Sequence, residues 1–261
     1  MSGHSTHHFT FAGAPRSARR WWIVLVVLIA LVVLGARVLL AQIRAPAAGG
    51  STSVRAAAAQ STELRIEISV ARRRLWVVGA SGDTLLDAPV AVGSGRTLRG
   101  EGHRWTFATP RGIRTVVSKE VDPVWLRPDW AYVEVARDNH LRLDSVSAHR
   151  PRPWSDGRTL VVRGTLVGTV DEAGTFEVWP MSDEIVYDDV LYMPPIGTEH
   201  RAIHGALGAY RLNIGDAVGI HGTPDRRSIG RAVTHGCLRL RDADLAFVYE
   251  TVPVGAPVFI Y

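Results

Sequence analysis

The sequence predicts a mainly β domain with one or two short helices, preceded by an N-terminal transmembrane helix. Three observations lead there. From Glu63 the chain alternates, with Leu64, Ile66, Ile68 and Val70 on one face, the period of a half-buried strand. Twenty-five Gly and fourteen Pro, among many Val and Thr, suit a turn-rich sheet protein better than a helical bundle. Trp21 to Leu34 is apolar without interruption and follows Arg16, Arg19 and Arg20.

Residues 1–20 read as a short cytoplasmic tail. Residues 21–43, wound as a helix, would extend roughly 34 Å at 1.5 Å per residue, enough to cross a bilayer. Arg37 breaks the run, and its long stem can snorkel to the interface. The arginines ahead of the span place the N-terminus inside, so the expectation is a single-pass inner-membrane protein with a periplasmic body. The rival is a cleaved signal peptide ending near Ala41. The full stretch is longer than an h-region of about 7–15 residues, which favours an anchor. Residues 44–62 are rich in Ala, Gly and Ser without apolar periodicity and read as a flexible linker.

The body is expected over 63–261. After the first strand, a turn near Arg72–Arg73 leads to Leu75–Val78, and Ser81–Asp83 turns into Leu85–Val92, a β-meander. Further strands are expected at Ile113–Ser118, Thr159–Arg163, Leu166–Val170, Thr175–Val178, Ala217–His221 and Pro257–Tyr261. A helix is expected at Asp242–Thr251, where Leu245, Val248 and Tyr249 share a face. Arg137–Gly157 is polar and Pro-containing and reads as a surface excursion. No internal repeat is apparent.

The formal charge of +5 invites a nucleic-acid reading, but its distribution opposes one. Residues 1–62 hold six Arg and no Asp or Glu, which leaves 24 basic and 25 acidic residues for 63–261. A nearly neutral body has no basic stripe for phosphates, so no nucleic-acid partner is expected. One cysteine excludes an intramolecular disulfide and a multi-cysteine zinc module.

That cysteine sits in the most informative run of the chain. His221-Gly222-Thr223 is followed by Ser228-Ile229-Gly230 and then by Thr234-His235-Gly236-Cys237-Leu238-Arg239-Leu240. A free thiol titrates near about 8.5, so a nucleophilic cysteine needs a base or a positive field. His235 and Cys237, two apart, would share a face on a strand. His221 ends a predicted strand, and the loop from Gly222 to Gly236 can fold it back to the thiol. Gly236 allows close backbone approach, and the N–H groups of Gly236 and Cys237 can form an oxyanion hole.

This run closely resembles the active-site motif of the YkuD-type L,D-transpeptidases, the ErfK/YbiS-like catalytic domain. Thr109-Pro110-Arg111-Gly112 resembles that family's Thr-Pro-x-Gly turn. Asp122-Pro123-Val124-Trp125 with Pro128 resembles its Asn-Pro-x-Trp segment, and Leu207-Gly208-Ala209-Tyr210 the stretch ahead of its His-Gly strand. The likeness runs from about 64 to 261 and is strongest after 190. It implies an L,D-transpeptidase-like fold of two packed mixed sheets, with the cysteine in a cleft beneath a flap.

The resemblance also implies roles. Cys237 attacks the third-residue carbonyl of a peptidoglycan stem tetrapeptide, D-Ala leaves, and an amine of a second stem resolves the thioester as a 3→3 cross-link. His221 is the base, oriented by the Gly222 carbonyl. His235, Gly236 and the Cys237 N–H line the oxyanion site, with Thr234 and Arg239 on the substrate and Arg239 meeting a carboxylate. Arg239 stands where one common form of the motif has Asn, and residues 137–190 exceed the minimal domain.

Rival readings remain open at this level. His221, His235 and Cys237 with His200 or His204 could ligate a metal, but no zinc-module spacing repeats, and neither metal nor cofactor is expected. His103, His140 and His149 read as surface or structural residues. Gly93-Ser94-Gly95 to Gly102 lacks the Lys-Ser/Thr of a phosphate loop. Trp125, Trp130, Trp154 and Trp179 read as core or cleft lining. A hydrolytic variant of the same scaffold stands beside the transpeptidase. A non-catalytic envelope scaffold is disfavoured, since binding needs no base-activated thiol.

Overall fold

A computed structural model describes residues 50–261. The expected tail and the span 21–43 lie outside the described residues. Among the described residues no helix is long and apolar enough to cross a membrane. The expectation of a single-pass inner-membrane protein is therefore withdrawn.

Two mixed sheets carry the main core. The first holds β1 (Arg65–Ser69), β2 (Arg74–Val78), β3 (Thr84–Pro89), β4 (Gly112–Thr115) and β9 (Pro257–Ile260), in the order β3-β2-β1-β9-β4. Only β1 and β9 run parallel. The second holds β5 (Ser118–Val121), β6 (Tyr210–Asn213), β7 (Gly219–His221) and β8 (Leu238–Arg239), in the order β8-β7-β6-β5, with β7 and β8 parallel. Alternation builds the shared core. Ile66, Ile68, Leu75 and Val77 from the first sheet meet Leu212, Ile220 and Leu238 from the second, all fully buried. The helix α3 (Asp242–Thr251) falls where its pattern predicts and adds Leu245 and Val248 to that core. Asp242 and Asp244 in its first turn suit the positive end of the helix dipole.

Several expectations are corrected. Ile113–Ser118 is not one strand, because the chain leaves the first sheet after Thr115 and joins the second at Ser118. Val116 is buried at the crossing, and its N–H still bonds Ala256. The strand expected from Ala217 starts only at Gly219, because Gly215, Asp216 and Ala217 all hold positive φ in a tight turn. Among the described residues there are three α-helices and several smaller sheets rather than two sheets alone. The helix α2 (Asp129–Asp138) was not expected at all, although Pro128 followed by Asp129 is a helix-start signal.

The polar stretch 137–157 is part of a folded insert. Val146 and Trp154 join Leu160, Val167, Ile185, Val190 and Tyr192 in a second apolar cluster. It is covered by a four-stranded antiparallel sheet within 152–178 and a three-stranded sheet built from 142–145, 186–187 and 190–193.

The supposed linker contains the helix α1 (Ser51–Gln60). Val54 and Ala58, four apart, share one face and pack against Phe259. Phe259 points there because Val258 and Ile260, its neighbours in β9, point into the main core. A stripe of one Val and small Ala residues is too weak to register as periodicity in the sequence. Val54→Asp should therefore destabilise the body by about 2–3 kcal/mol, from lost burial and an unpaired carboxylate. Urea unfolding checks this, and an unchanged midpoint would restore the linker reading.

Candidate active site

The register of the second sheet places the ionisable side chains in one row. Ile220 pairs with Leu212 on one side and Leu238 on the other, and these three apolar residues face the core. The next position of each strand therefore faces away from that core. His221 stands there between its register partners Arg211 and Arg239, and Arg211 lies opposite Glu120, which it meets at 3.5 Å. The resulting order across the sheet is Glu120, Arg211, His221, Arg239.

His221 is only 5% exposed, and its Nδ1 lies 2.6 Å from the Gly222 carbonyl oxygen. A carbonyl can only accept, so Nδ1 carries the proton and Nε2 keeps its lone pair. Burial lowers the pKa of the imidazole to about 4. The Gly222 bond opposes that shift, while the Arg239 and Arg211 guanidiniums reinforce it. The ring is neutral at neutral pH and presents an unprotonated Nε2.

Gly222 is held by the turn ahead of β6. Its N–H donates to the Leu207 carbonyl at 2.7 Å. A Cβ on Gly208, which has φ +71°, would lie 2.8 Å from the Gly222 Cα. The Leu207-Gly208 segment thus packs backbone on backbone, which requires two glycines.

Cys237 immediately precedes Leu238 and is partly exposed. Its Sγ lies 3.9 Å from the Ala217 carbonyl oxygen, in the turn before β7. The strand geometry expected for His235 and Cys237 is corrected. Residues 235–237 form a bend between Ala232–Thr234 and β8, and Gly236 has φ +128°, a left-handed conformation that favours glycine.

Thr234 and Gly236 are also corrected. Thr234 is 1% exposed, and its hydroxyl donates to the Cys237 carbonyl at 2.6 Å and accepts from the Gly236 N–H at 3.2 Å. A hydroxyl spent on closing the bend does not face a substrate. The Gly236 N–H, turned to Thr234, is not free to serve as an oxyanion donor. Thr109 braces the same bend from the other side: its hydroxyl donates to the Gly236 carbonyl at 2.9 Å and accepts from the Gly93 N–H at 2.8 Å. The Thr-Pro-x-Gly turn therefore supports the cysteine loop.

His235 lies on a separate wall. Its Nε2 is 2.9 Å from Glu134 Oε2, and its ring stacks on Trp130 with centroids 4.0 Å apart and meets the edge of Phe107 at 4.4 Å. Burial lowers its pKa, against the opposing pull of Glu134 and with help from Arg239 and Arg96. A neutral ring that donates from Nε2 to Glu134 has only an acceptor at Nδ1, so its side chain is no oxyanion donor. Trp130, read from the sequence as core or cleft lining, lines this wall. Glu134, Phe107 and Arg211 were missed in the sequence, Glu134 with α2, and Arg211 because only the register puts it beside His221.

Arg239 bonds Ala91 through both backbone groups, and its guanidinium enters no ion pair among the described residues. His200 is committed elsewhere, with Nε2 donating to the Trp179 carbonyl at 2.9 Å and Nδ1 accepting from the Val167 N–H at 3.3 Å. It ties the insert together. Among the described residues no group of three or more His, Cys, Asp or Glu is arranged to hold a metal ion.

Comparison with known proteins adds the family. The family model described as YkuD, the L,D-transpeptidase catalytic domain, matches residues 63–260. The probable L,D-transpeptidase YbiS of Escherichia coli (strain K12) is 50% identical over 52 residues, 20% of this chain and 17% of that protein. The putative L,D-transpeptidase YkuD of Bacillus subtilis (strain 168) is 42% identical over 57 residues, 22% of this chain and 35% of that protein. The chain thus matches about a sixth to a third of the length of these relatives. A solved L,D-transpeptidase from Mycobacterium smegmatis is 18% identical over 76% of this chain and 58% of that one, with a TM-score of 0.40, too low to add to the assignment.

Because the folded pKa of His221 lies near 4 and an unfolded histidine titrates near 6.5, the unfolded state binds the extra proton between those values. The contribution is fully present above about pH 6.5 and is lost as pH falls toward 4. The wild type should lose about 2–3 kcal/mol more than His221→Ala between pH 7 and 4.5. Urea titrations at the two pH values check this, and equal losses would contradict the buried neutral ring.

Proposed function

The chain belongs to the YkuD family of L,D-transpeptidase catalytic domains, and on that premise we propose that it transfers acyl groups between peptidoglycan stem peptides through a thioester on Cys237. The observation that carries this reading is the pairing of β7 with β8. It sets the strand that follows the thiol directly alongside a histidine whose Nδ1 is tied to a backbone carbonyl and whose Nε2 is a free base.

In this reading the Nε2 of His221 takes the thiol proton as Sγ adds to the carbonyl of the third residue of a tetrapeptide stem. The same nitrogen returns the proton to the departing amine of D-Ala, leaving a thioester. A side-chain amine of a second stem then adds to the thioester carbon, His221 accepts its proton, and the thiolate leaves with a 3→3 amide formed. The Cys237 N–H is the donor left at the bend for the oxyanion, since the Gly236 N–H is engaged. Arg239, beside His221 and without an ion-pair partner among the described residues, meets a substrate carboxylate. Donor and acceptor stem peptides are the partners, and the chemistry needs no cofactor.

Incubating the protein with a stem tetrapeptide, with and without an amine acceptor, tests this reading by product mass. Release of D-Ala together with a cross-linked product is expected. Release of D-Ala with water as sole acceptor would assign a hydrolase instead. Cys237→Ser should form no detectable product, and His221→Ala should lose about 10²–10⁴ in rate, the worth of a positioned base. Unaltered turnover in Cys237→Ser would place the nucleophile elsewhere.

A further inference from the structure

Trp130 and Glu134 lie four residues apart on α2 and so face the same way, and His235 occupies the space in front of them. The imidazole lies on the indole of Trp130, meets the edge of Phe107 and points Nε2 at Glu134. The other carboxylate oxygen of Glu134 accepts from Arg96 Nη2 at 3.1 Å, with Arg137 at 3.9 Å. We propose that Glu134 is a positioning residue of the Cys237 site, fixing His235 as the Nε2–H tautomer and thereby setting the bend that delivers the thiol. The proposal deepens the acyl-transfer reading and rests on it.

The argument is one of donors and acceptors. A carboxylate can only accept, so the nitrogen facing it must carry the proton and Nδ1 must keep its lone pair. Stacking on Trp130 and the edge of Phe107 remove the remaining rotation of the ring. Only Gly236, at φ +128°, separates His235 from Cys237, so the anchored ring lies one residue from the backbone that carries the thiol. A misplacement of about 1 Å at a reacting group can cost on the order of 10²-fold in rate. The charged groups that act on the ring are Glu134 from α2, Arg96 from the loop before Thr97–Gly100, and Arg239 from β8. The plain alternative is that Glu134 only neutralises Arg96 and Arg137, without governing His235.

The test uses the whole chain with ¹⁵N-labelled histidine, as wild type, Glu134→Ala and Glu134→Gln. Glutamine is the same size but has one acceptor. If its oxygen stays on Arg96, its NH2 faces His235 and donates to Nε2, so the imidazole proton moves to Nδ1. The wild type should show Nε2–H, Glu134→Gln should show Nδ1–H, and Glu134→Ala a mixture. In both variants kcat should fall on the order of 10–100-fold, while KM for the donor stem changes little. Adding Arg96→Ala to Glu134→Gln frees the amide to turn its oxygen to Nε2–H, and should restore the tautomer and much of kcat.

An unchanged tautomer in both Glu134→Gln and Glu134→Ala would overturn the proposal. So would a moved tautomer with kcat held within about twofold, because the ring would then not govern the reaction. If the wild type made neither cross-link nor hydrolysis product, the acyl-transfer reading would fall. The nitrogen spectra would still decide whether Glu134 sets the ring, since they need no substrate.

Discussion

A short stretch of parallel pairing, Ile220 with Leu238 and His221 with Arg239, fixes where the candidate site's side chains lie. Parallel neighbours cannot be joined by a tight hairpin, so the chain between them must make a long excursion. That excursion carries the bend of residues 234–237. The apolar half of each pair is buried in the main core, so a slip of one residue would expose Ile220 or Leu238 and bury Arg239. The energy of the core thereby specifies the placement of a histidine, the proposed base, that is not itself part of that core.

The two histidines are handled in opposite ways. His221 is buried on a rigid strand, bonded to a backbone carbonyl and flanked by two guanidiniums, all of which except the carbonyl bond disfavour its charge. His235 sits on a bend and is held by side chains from other elements: a carboxylate, an indole and a phenyl ring. A backbone partner cannot be lost by a single substitution, whereas a side-chain partner can. The first histidine is suited to a fixed base, and the second to holding the geometry of the loop that bears the thiol. Thr109 and Thr234 complete that loop by satisfying its carbonyls from two sides.

Much of this was legible in the sequence where a local pattern sufficed. The strands around Ile66 and Leu75, the hairpin of Thr159–Val170 and α3 follow directly from period and turn residues. Cys237, His221 and the Gly222 carbonyl were legible as a motif, and the structure supplies their geometry. What escaped depends on tertiary placement. Thr234 and Gly236 looked like substrate and oxyanion groups, but their donors and acceptors close the bend on itself. Glu134 and Trp130 act on a residue a hundred positions away, which no local pattern can report. The α1 stripe escaped because alanine carries little hydrophobic signal, although Ala58 is fully buried. The stretch 137–157 escaped because its two buried apolar residues, Val146 and Trp154, are set among charged ones such as Asp144 and Arg152, which pair with each other.

The central claim is that burial and the Gly222 carbonyl hold His221 neutral, with the proton on Nδ1 and Nε2 free to act as base. Nitrogen chemical shifts of the His221 ring, followed from pH 8 to pH 4 in the folded protein, test it most directly. The account predicts a protonated Nδ1, a bare Nε2 and a titration midpoint close to 4, well below the ordinary value of about 6.5. A midpoint at or above 6.5, or a proton resident on Nε2, would contradict it.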